Sequence, residues 1–422
     1  MPSHLVVLAT VLGFLLSPET LVILGTGLGR AGTAFPAALV LCLPVYVFTA
    51  CKLDFSQAKP LASGPGGFAL AGVAACARFG YAVCASAGML ASAGFVVNEV
   101  FFYWFPNFLF AHLLLLSLFV LNWRAPVQAP KLMPILAGIA VSAVLLLIGA
   151  ALWQQEGKEI ANRLDLPPGL ALCSLATTLF VFTGFDLAAF VRKKNADPPG
   201  PRMAIGLGIG CLVLVAWSMA TVVWVPMERL SQSTVPHLLA ARHILGAPGA
   251  AIMGLAAVAA AAAMVNAFFL AIPQMVDQLA GQGSVPPAWA SRPALPRFLL
   301  AGAVAAMLLS GMAGSPNLEI LIRGALLLWI LYHGLAHLTR LRRPAEAGPH
   351  SIPAKRATSL CHGGAATFLI IGFGAIVSAD PDRDQLLAVM AIGVAAAGSA
   401  GFVLTRAGRR PGAARDPGAL AD

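Results

Sequence analysis

The sequence predicts an all-α integral membrane protein: a single domain of membrane-crossing helices. Three observations predict it. Of 422 residues, 59% are hydrophobic and only 10% charged, with mean hydropathy +0.84, whereas water-soluble domains carry about 25% charged residues. Apolar stretches of roughly 20 residues, enough to cross a ~30 Å hydrocarbon core, recur about twelve times. The basic residues, finally, gather in alternate connections between those stretches.

Taken in order, the stretches cover approximately residues 4–26, 33–51, 79–101, 106–122, 131–152, 169–191, 203–225, 248–271, 297–313, 317–338, 362–379 and 386–405. The first lacks a basic start and a small-residue cleavage site, so it reads as a span and not as a removable leader. With the amino terminus inside, the even-numbered connections and the tail hold Lys52, Lys59, Arg124, Lys131, Arg192, Lys193, Lys194, Arg202, Arg292, Arg297, Arg340, Arg342, Arg343, Lys355, Arg356, Arg406, Arg409, Arg410 and Arg415. Only Arg30, Lys158, Arg163, Arg229, Arg242, Arg323 and Arg383 fall outside or near that side, and Arg78 is placed at a helix start. This positive-inside asymmetry sets both termini in the cytoplasm of a multi-pass protein of the inner (plasma) membrane. It also assigns the net charge of +10 to topology, with no nucleic-acid partner. The seven cysteines lie mostly in apolar stretches without Cys-x-x-Cys spacing, and read as packing residues.

Two stretches are interrupted. In the first, Gly13-Phe14-Leu15-Leu16-Ser17-Pro18-Glu19-Thr20 contains a proline that removes a backbone donor and disfavours helix at the preceding residue. Ser17 fits an N-cap and Pro18 the first residue of a new half-helix. In the sixth, Phe182-Thr183-Gly184-Phe185-Asp186 sets glycine beside a carboxylate within an apolar segment. A charge at that depth faces a cavity or pathway, and glycine lets the backbone leave helical geometry. Five spans separate the two breaks, which predicts a 5+5 inverted repeat with broken helices 1 and 6. The domain then occupies 1–405: a first repeat over 4–152, a second over 169–338, and two extra helices over 362–405. Residues 406–422 form a cytoplasmic basic tail.

With these residues in view, the chain resembles the amino acid–polyamine–organocation superfamily of amino acid permeases, which have the leucine-transporter fold. Phe182 through Asp186 is similar to the family's Phe-x-Gly-Phe-acid element. Lys194-Asn195-Ala196-Asp197-Pro198 through Pro201-Arg202-Met203-Ala204-Ile205 resembles the loop before span seven. Val235-Pro236 and Leu245-Gly246 resemble the outer loop before span eight. Asn266, followed by Gln278 through Pro286, is similar to the end of span eight and its loop. Around Asn317-Leu318-Glu319 the chain looks most like bacterial exporters of neutral, hydrophobic amino acids. Departures concern the substrate contacts: the family's small-residue element is reduced to Gly13-Phe14-Leu15, Glu19 replaces a customary glycine, and Ile272-Pro273 stands where a Ser-Arg pair is common. The resemblance implies secondary transport of amino acids by alternating access, with export or exchange open and no cofactor.

On that expectation, the half-helix beginning near Ser17 offers N–H groups and a positive dipole end to a substrate carboxylate. Carbonyls around Phe182–Gly184 accept from its ammonium. The expected substrate-binding residues are Gly13, Phe14, Leu15, Ser17, Phe182, Thr183, Gly184, Phe185 and Trp329. Cys84, Met89, Met264 and Phe268 make the pocket apolar, for a neutral substrate. Asp186 has two readings, a proton-coupling site or a cap on the inner half of span six. Glu19 reads as a first-turn residue favoured by the dipole and turned away from the cavity. Residues Ala250–Ala271 supply no hydroxyl for a sodium site, and Lys131 lies at the cytoplasmic end of span five. Proton coupling, exchange and facilitated diffusion stay open. The rival readings are a transporter for another small amine or organocation, and a metal-binding membrane enzyme. The second would use His333 and His337, four apart on one helical face, with Cys361 and His362 nearby in sequence. The reading adopted has no enzyme activity and no metal.

Overall fold

The computed structural model describes residues 3–53, 65–154, 176–191, 198–281, 285, 287–342 and 352–408, and all of their regular structure is helical. The start of the sixth stretch at 169–175, the motif residues Lys194–Asp197, most of 282–286, the loop 343–351 and the tail beyond 408 lie outside them. So do Lys59, Lys158, Arg163, Arg192 and Lys193.

Numbered in chain order, span one is Ser3–Leu15 plus Pro18–Ala31, two helices bent by 43°. Spans two to five are Ala34–Lys52, Pro65–Val96, Asn107–Arg124 and Ala129–Trp153. Segment six is Thr178–Phe182, a break, and the 3₁₀ turn Phe185–Ala189. Gly200–Trp224 and Pro236–Gly281 are spans seven and eight, the latter kinked at Gly246, whose φ of 66° is the left-handed value glycine accommodates. Ala294–Leu309, Pro316–Arg342, Ile352–Ala379 and Arg383–Gly408 are segments nine to twelve. Among the described residues eight helices are long and apolar enough to cross a membrane, and span one taken as a bent pair makes nine. Segments six and nine are apolar but short, so the sequence's count of about twelve exceeds what these helices supply alone.

Span eight is the axis. It packs against five and three, while span one lies on five and seven, and ten lies on three and eleven. The reason is steric. The run Ala259–Ala263 is buried, and a Cβ on Gly13 would come within 3.4 Å of Ala263 Cβ, so spans one and eight approach through small residues. Asn122 Nδ2 donates to Asn266 Oδ1 at 2.7 Å, and Asn266 Nδ2 donates to the Ala129 carbonyl at 2.9 Å, tying spans four, five and eight inside the apolar core. Outward-facing side chains such as Leu41, Ile135, Leu212 and Ile371 are exposed apolar groups, the surface a bilayer covers. Tyr103, Trp104 and Trp153 are exposed at span ends, where amphipathic rings favour the interface.

One placement is corrected. Arg78, expected at a helix start, lies well inside span three and is buried.

Candidate functional site at two broken helices

Ser17 ends the first half of span one and begins the second. Its backbone is extended, its hydroxyl accepts from the Thr20 amide at 3.3 Å, and Pro18 follows at the first helical position. Pro18 has no N–H, and the amides of a helix's first turn lack helical partners. Thr20 Oγ1 donates to the Phe14 carbonyl at 3.1 Å, stitching the two halves together. Across from this break, Thr183 is extended and Gly184 has φ 112°. A Cβ at Gly184 would overlap the Phe14 ring, so the two interruptions meet face to face. The last carbonyls of Thr178–Phe182 have no continuing helix to bond them. Two are occupied: the Leu179 carbonyl accepts from Tyr46 Oη at 2.8 Å and from Thr183 Oγ1 at 2.7 Å, and the Phe180 carbonyl accepts from the Thr183 amide at 3.2 Å.

The expected site residues do not all converge. Phe14 and Gly184 meet at the junction of the two breaks, with Ser17 and Thr183 beside them in the chain, whereas Gly13 faces Ala263 of span eight. Phe182 and Phe185 pack on Tyr46, with ring centroids 5.3 and 5.9 Å apart. Leu15 turns towards span seven, against Gly210. Trp329 is near, but it reaches the site through polar as well as apolar contacts. All of these side chains are buried, so the centre is closed on every side.

Asp186 makes no local capping hydrogen bond, and its contacts all fall on one carboxylate oxygen, Oδ1 having no hydrogen-bond partner. Gly184 holds the N-cap position of the 3₁₀ turn, which has no side-chain cap. Asp186 Oδ2 instead pairs with Arg78 Nη2 at 2.5 Å and accepts from Trp329 Nε1 at 3.3 Å, with His333 Nε2 at 3.6 Å. Burial makes a lone carboxylate costly, and the guanidinium meets it with a charge-assisted hydrogen bond. Arg78 is itself wrapped by aromatic rings: Tyr332, Phe190 and Trp329 centroids lie 5.0, 5.2 and 5.7 Å from its Cζ. Spans three, six and ten are thereby clamped together just past the break.

Glu19 also departs from expectation. It does not turn away: Tyr81 Oη donates to its Oε2 at 3.3 Å, and Tyr81 is the hub of an aromatic group. The rings of Trp329, Phe268 and Phe14 lie 5.6, 5.9 and 6.0 Å from it.

The two histidines of span ten part company. His333 faces Asp186, whereas His337 Nδ1 lies 2.8 Å from His362 Nδ1 and its Nε2 lies 2.9 Å from Thr49 Oγ1. Cys361 is exposed, and no group of three His, Cys, Asp or Glu side chains suited to a metal ion occurs among the described residues. Sequence reasoning missed Arg78, Tyr46, Tyr81, Thr49 and the pairing of His362. Arg78 sat at the edge of its apolar stretch, and only an arginine's high cost inside a membrane could have drawn attention to it.

No family model matches the sequence. The inner membrane transport protein YbaT of Escherichia coli (strain K12) is 28% identical over 163 residues. That match is 37% of this chain and 37% of the relative, so the chain spans little more than a third of the curated relative it matches. Among solved structures, the manganese transporter of Eremococcus coleocola, in complex with an aromatic bis-isothiourea substituted compound, is similar at TM-score 0.57 and 13% identity. The alignment covers 96% of this chain and 93% of that one. Two mutants of the same transporter give TM-score 0.58 with the same coverage. This is the fold of a membrane transporter. At that identity the likeness is one of architecture, and the residues at the breaks speak for themselves.

Proposed function

We propose that this chain is a secondary transporter that carries neutral, hydrophobic amino acids across the cytoplasmic membrane by alternating access. The single observation behind the reading is the meeting of two helix breaks inside the bilayer, with Phe14 of one seated on Gly184 of the other. A zwitterion needs an acceptor set for its ammonium and a donor set for its carboxylate. The half-helix from Pro18 supplies amides and a positive dipole end, and the break after Phe182 supplies carbonyls. Beside the first break Phe14, Phe268 and Trp329 gather around the Tyr81 ring, all almost fully buried, which favours an apolar side chain. Phe14 fills the space between the breaks in this closed state and would swing aside to admit a substrate.

A metal ion, the cargo named for the structural neighbour, fits the break less well. A cation wants oxygen ligands, and of the two carboxylates at the breaks Asp186 is held by Arg78 and Glu19 accepts from Tyr81, with no group of three metal-ligating side chains among the described residues.

Counterflow in proteoliposomes tests the reading. Purified protein loaded with unlabelled leucine should accumulate labelled leucine and methionine faster than labelled arginine. Equal or faster movement of arginine, or movement of Mn²⁺ alone, would overturn it.

A further inference from the structure

Between the central break and one end of the bundle runs a line of imidazoles that substrate binding does not use. His333 and His337 lie one turn apart on span ten, and His362 on span eleven follows. His333 and His337 are fully buried, and His362 is 7% exposed. Phe48 covers the last two, its ring stacked 5.7 Å from His337 and edge-on 4.9 Å from His362.

The hydrogen bonds fix the tautomers. Thr49 Oγ1 donates its one proton to the Val45 carbonyl at 2.6 Å. It must therefore accept from His337, whose Nε2 carries hydrogen. His337 Nδ1 is then a lone pair, and the 2.8 Å contact requires His362 Nδ1–H to donate to it. The neutral His362 is left with an acceptor at Nε2, at the edge of the buried cluster. Two imidazoles joined Nδ1 to Nδ1 share one bridging proton, so the pair holds a single extra charge.

We propose that His362, His337 and His333 form a proton path from the end of the bundle to the Arg78–Asp186 ion pair, and that protonation of Asp186 releases span three from span six. The steps balance in protons. One arrives at His362 Nε2, and His362 Nδ1 passes its own to His337 Nδ1, leaving His362 neutral and His337 an imidazolium. His337 transfers the proton across one turn, by ring rotation or a water, to His333. His333 Nε2 delivers it to Asp186 Oδ2, 3.6 Å away. A neutral carboxyl no longer holds Arg78, and the clamp past the break opens.

The charges around the path are cationic at both ends and disfavour a proton at rest on it, so the path carries a proton in transit. Arg78 and Tyr332 face Asp186 and His333 from spans three and ten. Lys52 and Arg340 face His362 from spans two and ten, at the end the positive-inside asymmetry makes cytoplasmic. At the far end of span ten, Arg323 is engaged with Asp380, Asp382 and Glu319 and takes no part.

This path rests on the transport reading for its purpose, so two measurements separate them. The first needs no substrate: nitrogen-15 spectra of histidine-labelled protein in detergent, followed over pH. The expected result is His337 with hydrogen on Nε2 and one proton taken up jointly by His337 and His362, with the joint uptake lost in His362→Gln. Separate uptake of a proton by each ring, or uptake by neither, overturns the path. The second uses pyranine-loaded proteoliposomes with leucine. His362→Gln and His337→Gln should each slow leucine-coupled proton movement about a hundredfold and slow leucine counterflow with it, because the unprotonated clamp stays shut. Wild-type counterflow with proton coupling unchanged in both variants defeats the path and leaves the transport reading intact. Absence of wild-type counterflow defeats the amino acid reading, and the spectra then decide the path alone.

Discussion

Arg78 and Asp186 show how strongly a single buried charge constrains its surroundings. The carboxylate looked in sequence like a helix cap or a proton site, because both readings use only its neighbours along the chain. Its actual partner is 108 residues away. Asp186→Asn leaves the Arg78 guanidinium buried without its counter-charge. Breaking a buried pair from one side costs about 3–5 kcal/mol, whereas replacing both members by apolar groups is often neutral or stabilising. Asp186→Asn should therefore lower the thermal unfolding midpoint in detergent markedly, and Arg78→Met with Asp186→Leu should restore most of it. A double variant no more stable than Asp186→Asn would mean the pair is held by something other than its own charges. Gly184 gives a second test. Gly184→Ala places a side chain at φ 112° against the Phe14 ring, and strain of this kind costs about 1–3 kcal/mol. Phe14→Ala empties that space. In a double-mutant cycle the two changes should couple by about 0.5–3 kcal/mol, and strict additivity would separate the two breaks.

At the scale of the element, both breaks were legible because their causes are local. Ser17-Pro18 ends one helix and starts the next by chemistry carried within four residues. Gly184 supplies a backbone angle that other residues rarely adopt. What meets each face was not legible. His333 and His337 were rightly placed on one side of span ten, yet the first looks to span six and the second to spans two and eleven. Glu19 was turned the wrong way for the same reason, since its partner Tyr81 belongs to another span. Helical periodicity tells which residues share a face and is silent on the neighbour that face finds. The local character of the first break carries a prediction. Ser17→Ala removes the oxygen that accepts from the Thr20 amide, and should destabilise the protein by about 1 kcal/mol, as loss of an N-cap does. A shift too small to measure by thermal unfolding would mean that Thr20 Oγ1 and the Phe14 carbonyl hold the junction alone.

For the whole molecule, the net charge of +10 acts through its distribution. Phe48 packing on His362 brings the carboxyl-terminal end of span two and the start of span eleven to one end of the bundle. Cys51 and Cys361 are both exposed there, close to Lys52 and His362, and the remaining described cysteines are buried or half-buried. On the topology expected from the positive-inside asymmetry, this end would face the cytoplasm. Ser310, at the end of segment nine, is exposed and offers a site for the opposite face. An impermeant maleimide added to intact cells should then label Ser310→Cys and spare Cys51 and Cys361 until the membrane is opened. The same experiment bears on the proposed proton path, whose entrance at His362 lies beside Cys361. Labelling of Cys361 from outside intact cells would turn the molecule over and place that entrance on the wrong side for a proton arriving from the cytoplasm.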